Sequence, residues 1–207
     1  FRLTHAKNDQ LVAKLLSKDI APEGYVKSGN GYARAENWAE VSKTPGYAAR
    51  LAAWETPDAR YRFMLENNGD GTYRPNFVSR TVELTGESLV SAAVQRDTTS
   101  GELSIGFRLN AEGGRIFSTL TRNYKAGGPK NRSGTGRQLA IILDDVLISA
   151  PTIQSEIGQM GHITGHFDAK SAQKLAAELN AGALPAPMKI LAETSVSPTV
   201  GVDAKQD

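Results

Sequence analysis

Residues 137–154 read RQLAIILDDVLISAPTIQ, and residues 161–190 read GHITGHFDAKSAQKLAAELNAGALPAPMKI. Leu139-Ala140-Ile141-Ile142-Leu143 is a continuous apolar run of strand length, stopped by Asp144-Asp145 and followed at once by Val146-Leu147-Ile148. Two short β-branched-rich runs joined by two turn-formers predict a hairpin. Pro151 ends the second strand or holds it at an edge, because proline donates no ladder hydrogen bond. Asp168 is placed to cap a helix, its carboxylate accepting from the free amides of the first turn. Ala172, Leu175, Ala176 and Leu179 follow at helical spacing, and Gly182 supplies the left-handed position after the last turn. Pro185 and Pro187 push the residues before them into extended backbone, so the chain is expected to leave the helix as a strand, Met188 to Thr194.

Outward from that stretch, Phe1 to His5 alternates like a strand, and Asn8 is expected to cap a helix whose apolar positions are Leu11, Val12, Leu15 and Leu16. Pro22-Glu23-Gly24 and Ser28-Gly29-Asn30-Gly31 predict loop from Ala21 to about Thr44, with short extended pieces around Tyr25 and Tyr32. Trp38, Tyr47, Leu51 and Trp54 are expected to form a satellite core. Arg60 to Glu66 alternates polar and apolar, Asn67-Asn68-Gly69-Asp70-Gly71 is a turn, and Tyr73 to Leu84 is extended again, which makes a second hairpin. Two further strands, Leu89 to Arg96 and Leu103 to Leu109, flank the turn Asp97-Thr98-Thr99-Ser100-Gly101. Asn110 caps a helix over 111–125 whose buried face should include Ile116, Phe117 and Leu120. Its Gly113-Gly114 pair weakens the first turn by roughly 1 kcal/mol per glycine relative to alanine.

Strand 103–109, helix 111–125, hairpin 138–149, helix 168–181 and strand 187–195 follow one another as β-α-β-β-α-β. The predicted class is therefore α+β, a ferredoxin-like split β-α-β sheet with an additional strand-rich subdomain drawn from residues 60–97. The chain divides into a strand-rich N-terminal part, 1–83, a head-like α+β region, 84–186, and a closing piece, 187–207, that returns as a strand and leads toward a transmembrane helix beyond the sequence.

At 207 residues the chain can bury one large core or two small ones. Its 40% hydrophobic and 22% charged content is that of a globular chain. A net charge of +2 gives no argument for nucleic acid, and zero cysteines exclude disulfides and thiolate metal sites. No apolar run approaches the roughly 20 residues that span a bilayer. The opening on Phe1 and the polar tail, residues 203–207, are what a piece of a longer polypeptide would show.

Motifs that could carry chemistry each have a simpler reading. Six basic residues and no acidic one lie between Arg115 and Arg137, around a glycine-rich segment, 126–136. A phosphate-gripping loop needs its glycines to feed a helix N-terminus, whereas these follow a helix and feed a strand, so the segment is expected to be a mobile basic loop. Asp144 and Asp145 are adjacent, and adjacent strand residues point to opposite faces, so they are turn-formers rather than a catalytic pair. His162 and His166 would stand about 13 Å apart on a strand, too far for one metal. Asn68, Asp70 and Gly71 have the residue types of a calcium loop without its downstream bidentate glutamate. No cofactor, metal or catalytic residue is expected.

Several stretches together resemble the large extracytoplasmic domain of the SecD family, the accessory subunits of the bacterial Sec translocon. They are Leu84-Thr85-Gly86, Phe107-Arg108-Leu109-Asn110-Ala111-Glu112-Gly113, Leu139 to Asp144, Ser149-Ala150-Pro151, Ile163-Thr164-Gly165 and above all Leu179-Asn180-Ala181-Gly182-Ala183-Leu184-Pro185-Ala186-Pro187. Val196-Ser197-Pro198-Thr199-Val200-Gly201 looks like the segment that leads such proteins into their second transmembrane helix, so the resemblance covers residues 84–201. It implies a domain on the periplasmic side of the bacterial inner membrane, tethered by membrane segments outside this sequence. It also implies SecF and SecYEG as partners and an unfolded preprotein as the bound species, moved at the expense of the proton gradient; no nucleic acid and no enzyme activity are expected. Such a domain should offer a shallow apolar groove or an exposed strand edge, with Phe117, Leu147, Ile148 and Ile153 as the expected groove residues. The competing expectations are a structural spacer between membrane segments and an extracytoplasmic hydrolase using Asp144 or Asp145.

Overall fold

The computed structural model describes residues 1–96, 101–164 and 167–183. The expected strand over 187–195, the closing stretch 196–201 and His166 lie outside the described residues.

Three antiparallel sheets carry the architecture. The first is four-stranded and holds β2 (Tyr25–Ser28), β3 (Gly31–Arg34), β5 (Thr72–Ser79) and β4 (Tyr61–Asn67), in that order. The second pairs β1 (Arg2–Leu3) with β8 (Leu139–Leu143) and β8 with β9 (Val146–Ser149). The third places β7 (Leu103–Leu109) between β10 (Met160–Thr164) and β6 (Leu89–Arg96). Five helices complete the described chain: α1 (Asn8–Leu16), α2 (Trp38–Val41), α3 (Tyr47–Ala53), α4 (Ala111–Tyr124) and α5 (Ala169–Ala183).

The first two sheets are joined through β1. Thr4 pairs with Val78 at the end of β5, and its amide donates to the Gln138 carbonyl at 3.1 Å. The strands therefore follow one another as β4, β5, β1, β8 and β9, and β9 returns to lie alongside β4. Met64, Val78, Ala140 and Leu147 fill the space enclosed, with Ile142 against them. A second cluster, Val12, Leu15, Tyr32, Phe63 and Phe77, forms where α1 and α3 cover the other face of the four-stranded sheet. Trp54 stands edge-on to Phe63 at 4.9 Å and to Tyr32 at 5.8 Å, and with Leu51 it packs on that cluster, as the satellite core required. Trp38 instead lies under the Arg34 guanidinium, 3.6 Å from its ring centre.

The largest cluster belongs to the third sheet and its helices, with Ile105, Phe107, Leu109, Phe117, Leu120, Ile163 and Leu175 in its interior and Leu3 and Leu139 entering from the second sheet. Both predicted caps form. The Asn110 side chain accepts from Gly113 N at 2.7 Å, and Asp168 accepts from Ser171 N at 2.6 Å while Ser171 Oγ accepts from Asp168 N at 3.0 Å. Ile116, expected inside, is 42% exposed. The buried face of α4 is centred on Gly113, Phe117, Leu120 and Thr121, and a residue next to Phe117 is rotated by about 100° from it.

The glycines of α4 have a structural use that offsets their poor helix propensity. A Cβ on Gly113 would stand 2.6 Å from Ser88 Cβ, and one on Gly114 would stand 2.3 Å from Gln159 Cγ. Gly182 lies inside α5 rather than after it. Its carbonyl oxygen comes within 3.0 Å of where a Cβ on Gly86 would be, so the close approach of the two backbones favours glycine at Gly86.

The pairing of β7 corrects the expected ferredoxin-like sheet. Strand 103–109 takes β6 and β10 as antiparallel neighbours, and hairpin 139–149 joins β1 in a different sheet. Antiparallel strands need only short connections, and β6 and β7 are close neighbours in sequence, so they pair with each other. Asn8 is likewise not a cap. It lies within the first turn of α1, and its Nδ2 donates to Asn76 Oδ1 at 3.0 Å and Gln138 Oε1 at 2.8 Å while its Oδ1 accepts from Phe77 N at 2.9 Å. A buried amide with both ends satisfied thus ties α1 to both sheets.

Candidate functional site

Asp144 and Asp145 sit at φ 47° and 61°, the left-handed pair of a two-residue hairpin turn. His162 projects from the exposed face of β10. Among the described residues no group of three or more His, Cys, Asp or Glu side chains could hold a metal ion. In the turn between β4 and β5, Asp70 Oδ1 accepts from Thr72 N at 2.9 Å and Thr72 Oγ1 at 2.6 Å, which leaves it building the turn.

The basic segment 126–136 is pinned, against the expectation of a mobile loop. Buried Asn131 donates through Nδ2 to the carbonyls of Tyr124, Lys125 and Thr135 at 3.1, 3.1 and 2.8 Å. Arg137, at the end of the segment, reaches the Thr4 carbonyl and lies 5.4 Å from the Tyr124 ring centre, and burial lowers its pKa.

The four expected groove residues separate. Phe117 and Ile153 are 1% and 3% exposed inside the largest cluster, with no surface to offer. Phe117 is locked by an edge contact with Phe107 at 5.7 Å and a tilted contact with Phe1 at 5.2 Å. Leu147 is 2% exposed and points into the enclosed space with Met64, and Ile148 is half-buried. Alternation along β9 sends these neighbours to opposite faces, and both reach the wall of a cleft.

That cleft, of about 880 Å³, lies between the β4–β5 turn, β9 and the first half of α5. Val146, Leu147, Ile148, Phe167 and Leu175 make its apolar wall, and Asp168, Lys174 and Glu178 stand along its rim. Val146 is 57% exposed, a large apolar side chain left in solvent at the tip of a hairpin. The caps at the start of α5 hold Asp168 in place, and its bonds with the Ser171 hydroxyl and amide lower its carboxyl pKa below the ordinary 3.8. Val146 and Phe167 carry no periodicity signal, since one follows a turn and the other precedes a cap, and sequence reasoning passed over both.

Val146 and Leu147 also line a second cleft, of about 490 Å³, on the side facing α3. Between the two clefts runs the junction of β4 and β9, where no backbone hydrogen bond joins the strands among the described residues. Side chains bridge it at each end: Arg62 Nη1 donates to Asp145 Oδ1 at 2.9 Å, and Ala150 N donates to Glu66 Oε1 at 3.3 Å. The opposite edge of the molecule is closed differently. Asn180 Oδ1 accepts from Ala92 N and Nδ2 donates to Ala92 O, both at 2.8 Å, so a side-chain amide takes the place of a neighbouring strand beside β6.

Residues 62–186 match the family profile described as SecDF, P1 head subdomain. Over 169 residues the chain is 39% identical to the protein translocase subunit SecD of Elusimicrobium minutum, covering 82% of this chain and 32% of that protein. It is 42% identical over 147 residues to the corresponding subunit of Leptotrichia buccalis, covering 70% of this chain and 32% of that one. A solved structure of SecDF, a membrane component that enhances protein export, is 28% identical, with a TM-score of 0.42 over 57% of this chain and 49% of that chain. The chain spans about a third of the length of these curated relatives.

Proposed function

This chain belongs to the SecDF family, carrying its P1 head subdomain, and from that premise we propose that it holds an unfolded polypeptide in transit on the far side of the membrane from the cytosol. The observation that carries the reading is the cleft walled by Val146, Ile148 and Phe167, whose apolar surface is exposed and rimmed by charge of both signs. Apolar contact without a shaped polar pocket accepts many sequences weakly, which is what a handler of diverse unfolded chains requires. In the full-length protein the partners would be SecF and SecYEG, and the proton gradient would act through membrane helices of SecD and SecF. The domain would act as a non-enzymatic clamp at the periplasmic face of the inner membrane.

Val146→Asp and Ile148→Asp test the reading on exposed or half-exposed positions, where the variants keep their core. Titration of a labelled, permanently unfolded protein against each should show binding weakened about tenfold, the loss of one or two apolar contacts. Unchanged affinity would remove the cleft from the function. The absence of any binding to the unmodified chain would leave the domain as a spacer.

A further inference from the structure

Arg62 is the least satisfied charged side chain in the described structure. Its side chain is 15% exposed, yet only Nη1 has a partner, Asp145; Nε and Nη2 are buried without a hydrogen-bond partner among the described residues. Two buried guanidinium donors left unpaired are costly, and the cost is relieved by any acceptor that reaches them. Asp145 supplies little compensation, because it is 88% exposed and engages one donor.

The surroundings add positive charge rather than cancel it. Arg62 lies opposite Val78 on β5, with Arg80 just past the end of that strand. Arg2 Nη1 reaches the carbonyls of Ser79 and Arg80, which holds its guanidinium within electrostatic reach of Arg62 and Asp145. Arg2 feels both neighbours, since burial and then the charge of Arg62 lower its pKa, Asp145 raises it, and Arg80 lowers it again. From Arg62 the second cleft runs along β4 past Phe63 and Leu65, with Tyr47 and Leu51 of α3 on one side and Val146 on the other.

An arginine in the wall of an apolar cleft, with two buried donors unpartnered, matches one ligand chemistry: a carboxylate followed by aliphatic or aromatic side chains. We infer that this cleft binds an extended peptide segment bearing an aspartate or glutamate, the carboxylate taken by Nε and Nη2 of Arg62 and the flanking apolar residues laid against Leu51, Leu65 and Val146. A guanidinium presents two parallel donors to a carboxylate, which fixes orientation as well as affinity. This extends the polypeptide-holding reading, and rests on it, by giving the clamp a preference among the segments that pass. Asp145 stays on the third nitrogen, Nη1, and its negative charge opposes the incoming carboxylate.

The test uses two fluorescein-labelled unstructured peptides, identical except that a central Asp between valine and leucine residues is Asn in the second. Binding to the 207-residue chain is followed by anisotropy. The Asp peptide should bind about tenfold more tightly, the gain of a bidentate charged pair, and the difference should shrink as salt rises. Arg62→Gln should abolish the difference while leaving the Asn peptide unaffected. Asp145→Asn, at an exposed turn where asparagine suits the left-handed backbone, should tighten the Asp peptide alone, about threefold by removal of a screened like charge beside the site. Equal affinity of the two peptides for the unmodified chain would overturn the proposal and leave the apolar clamp standing. Failure of both peptides to bind would overturn both readings together. Binding of anionic phospholipid vesicles, lost in Arg62→Gln, with no preference between the peptides, would assign the arginines to the membrane surface and overturn the proposal as well.

Discussion

Two strand edges of this molecule are finished in opposite ways. Beside β6 the backbone is occupied by the Asn180 amide and crowded by α5, where the Gly182 carbonyl comes up against Gly86. Between β4 and β9 the backbones run alongside each other unpaired, held at one end by Arg62 and Asp145 and at the other by Glu66 and the Ala150 amide. The first arrangement spends close packing on stability; the second leaves Val146 in solvent and two buried donors of Arg62 without partners. The proposed binding clefts lie on either side of the junction that is incompletely closed.

The comparison breaks first where closure has no slack. A Cβ on Gly136 would stand 1.9 Å from the Ile153 carbonyl oxygen, a backbone atom of the residue whose amide donates to the Arg137 carbonyl at 2.9 Å. Gly136→Ala should therefore lower stability by about 3 kcal/mol or more, measured as a fall in the urea midpoint. Asn180→Ala removes both bonds to Ala92 and should cost about 2 kcal/mol, with faster hydrogen exchange at the Ala92 amide. At the open junction the expected loss is smaller: Asp145→Asn should cost less than about 1 kcal/mol, because its carboxylate is largely in water. A loss as large as that of Asn180→Ala would mean that the junction is a structural seam, and the contrast would fail.

The smallest effect concerns pH. The folded pKa of Asp168 is depressed by Ser171, so the stabilisation it gives α5 is present above the ordinary value of 3.8 and is lost as pH falls through the lower folded value. Helical circular dichroism should fall slightly on acidification in that window, and Asp168→Asn should remove this part of the pH dependence.

Local signals carried the sequence reading a long way. The helices with Asn110 and Asp168 at their starts, the two hairpins and strands 89–96 and 103–109 all follow from caps, turns and alternation within a few residues. What failed depends on distant partners. Asn8 has the residue type of a cap, yet Asn76 and Gln138 claim its side chain. Gly113 and Gly114 weaken a helix in isolation, yet Ser88 and Gln159 need the space. Phe117 and Ile153 have the apolar character of groove residues, and the same character buries them; only the packed structure separates an apolar side chain that is covered from one, such as Val146, that is not. Arg62, in an alternating strand pattern, gives no sign that two of its donors will be left over.

The brief strand β1 has a consequence for how the molecule assembles. Thr4 reaches its partner Gln138 across a separation of 134 residues, a loop whose closure costs about 4 kcal/mol of chain entropy beyond a constant. Contacts of such long range slow folding, because the entropy is lost before most of the reward is gained. The residues of β1 are thus among the last to find their place, and until they do, β5 and β8 each lack a neighbour.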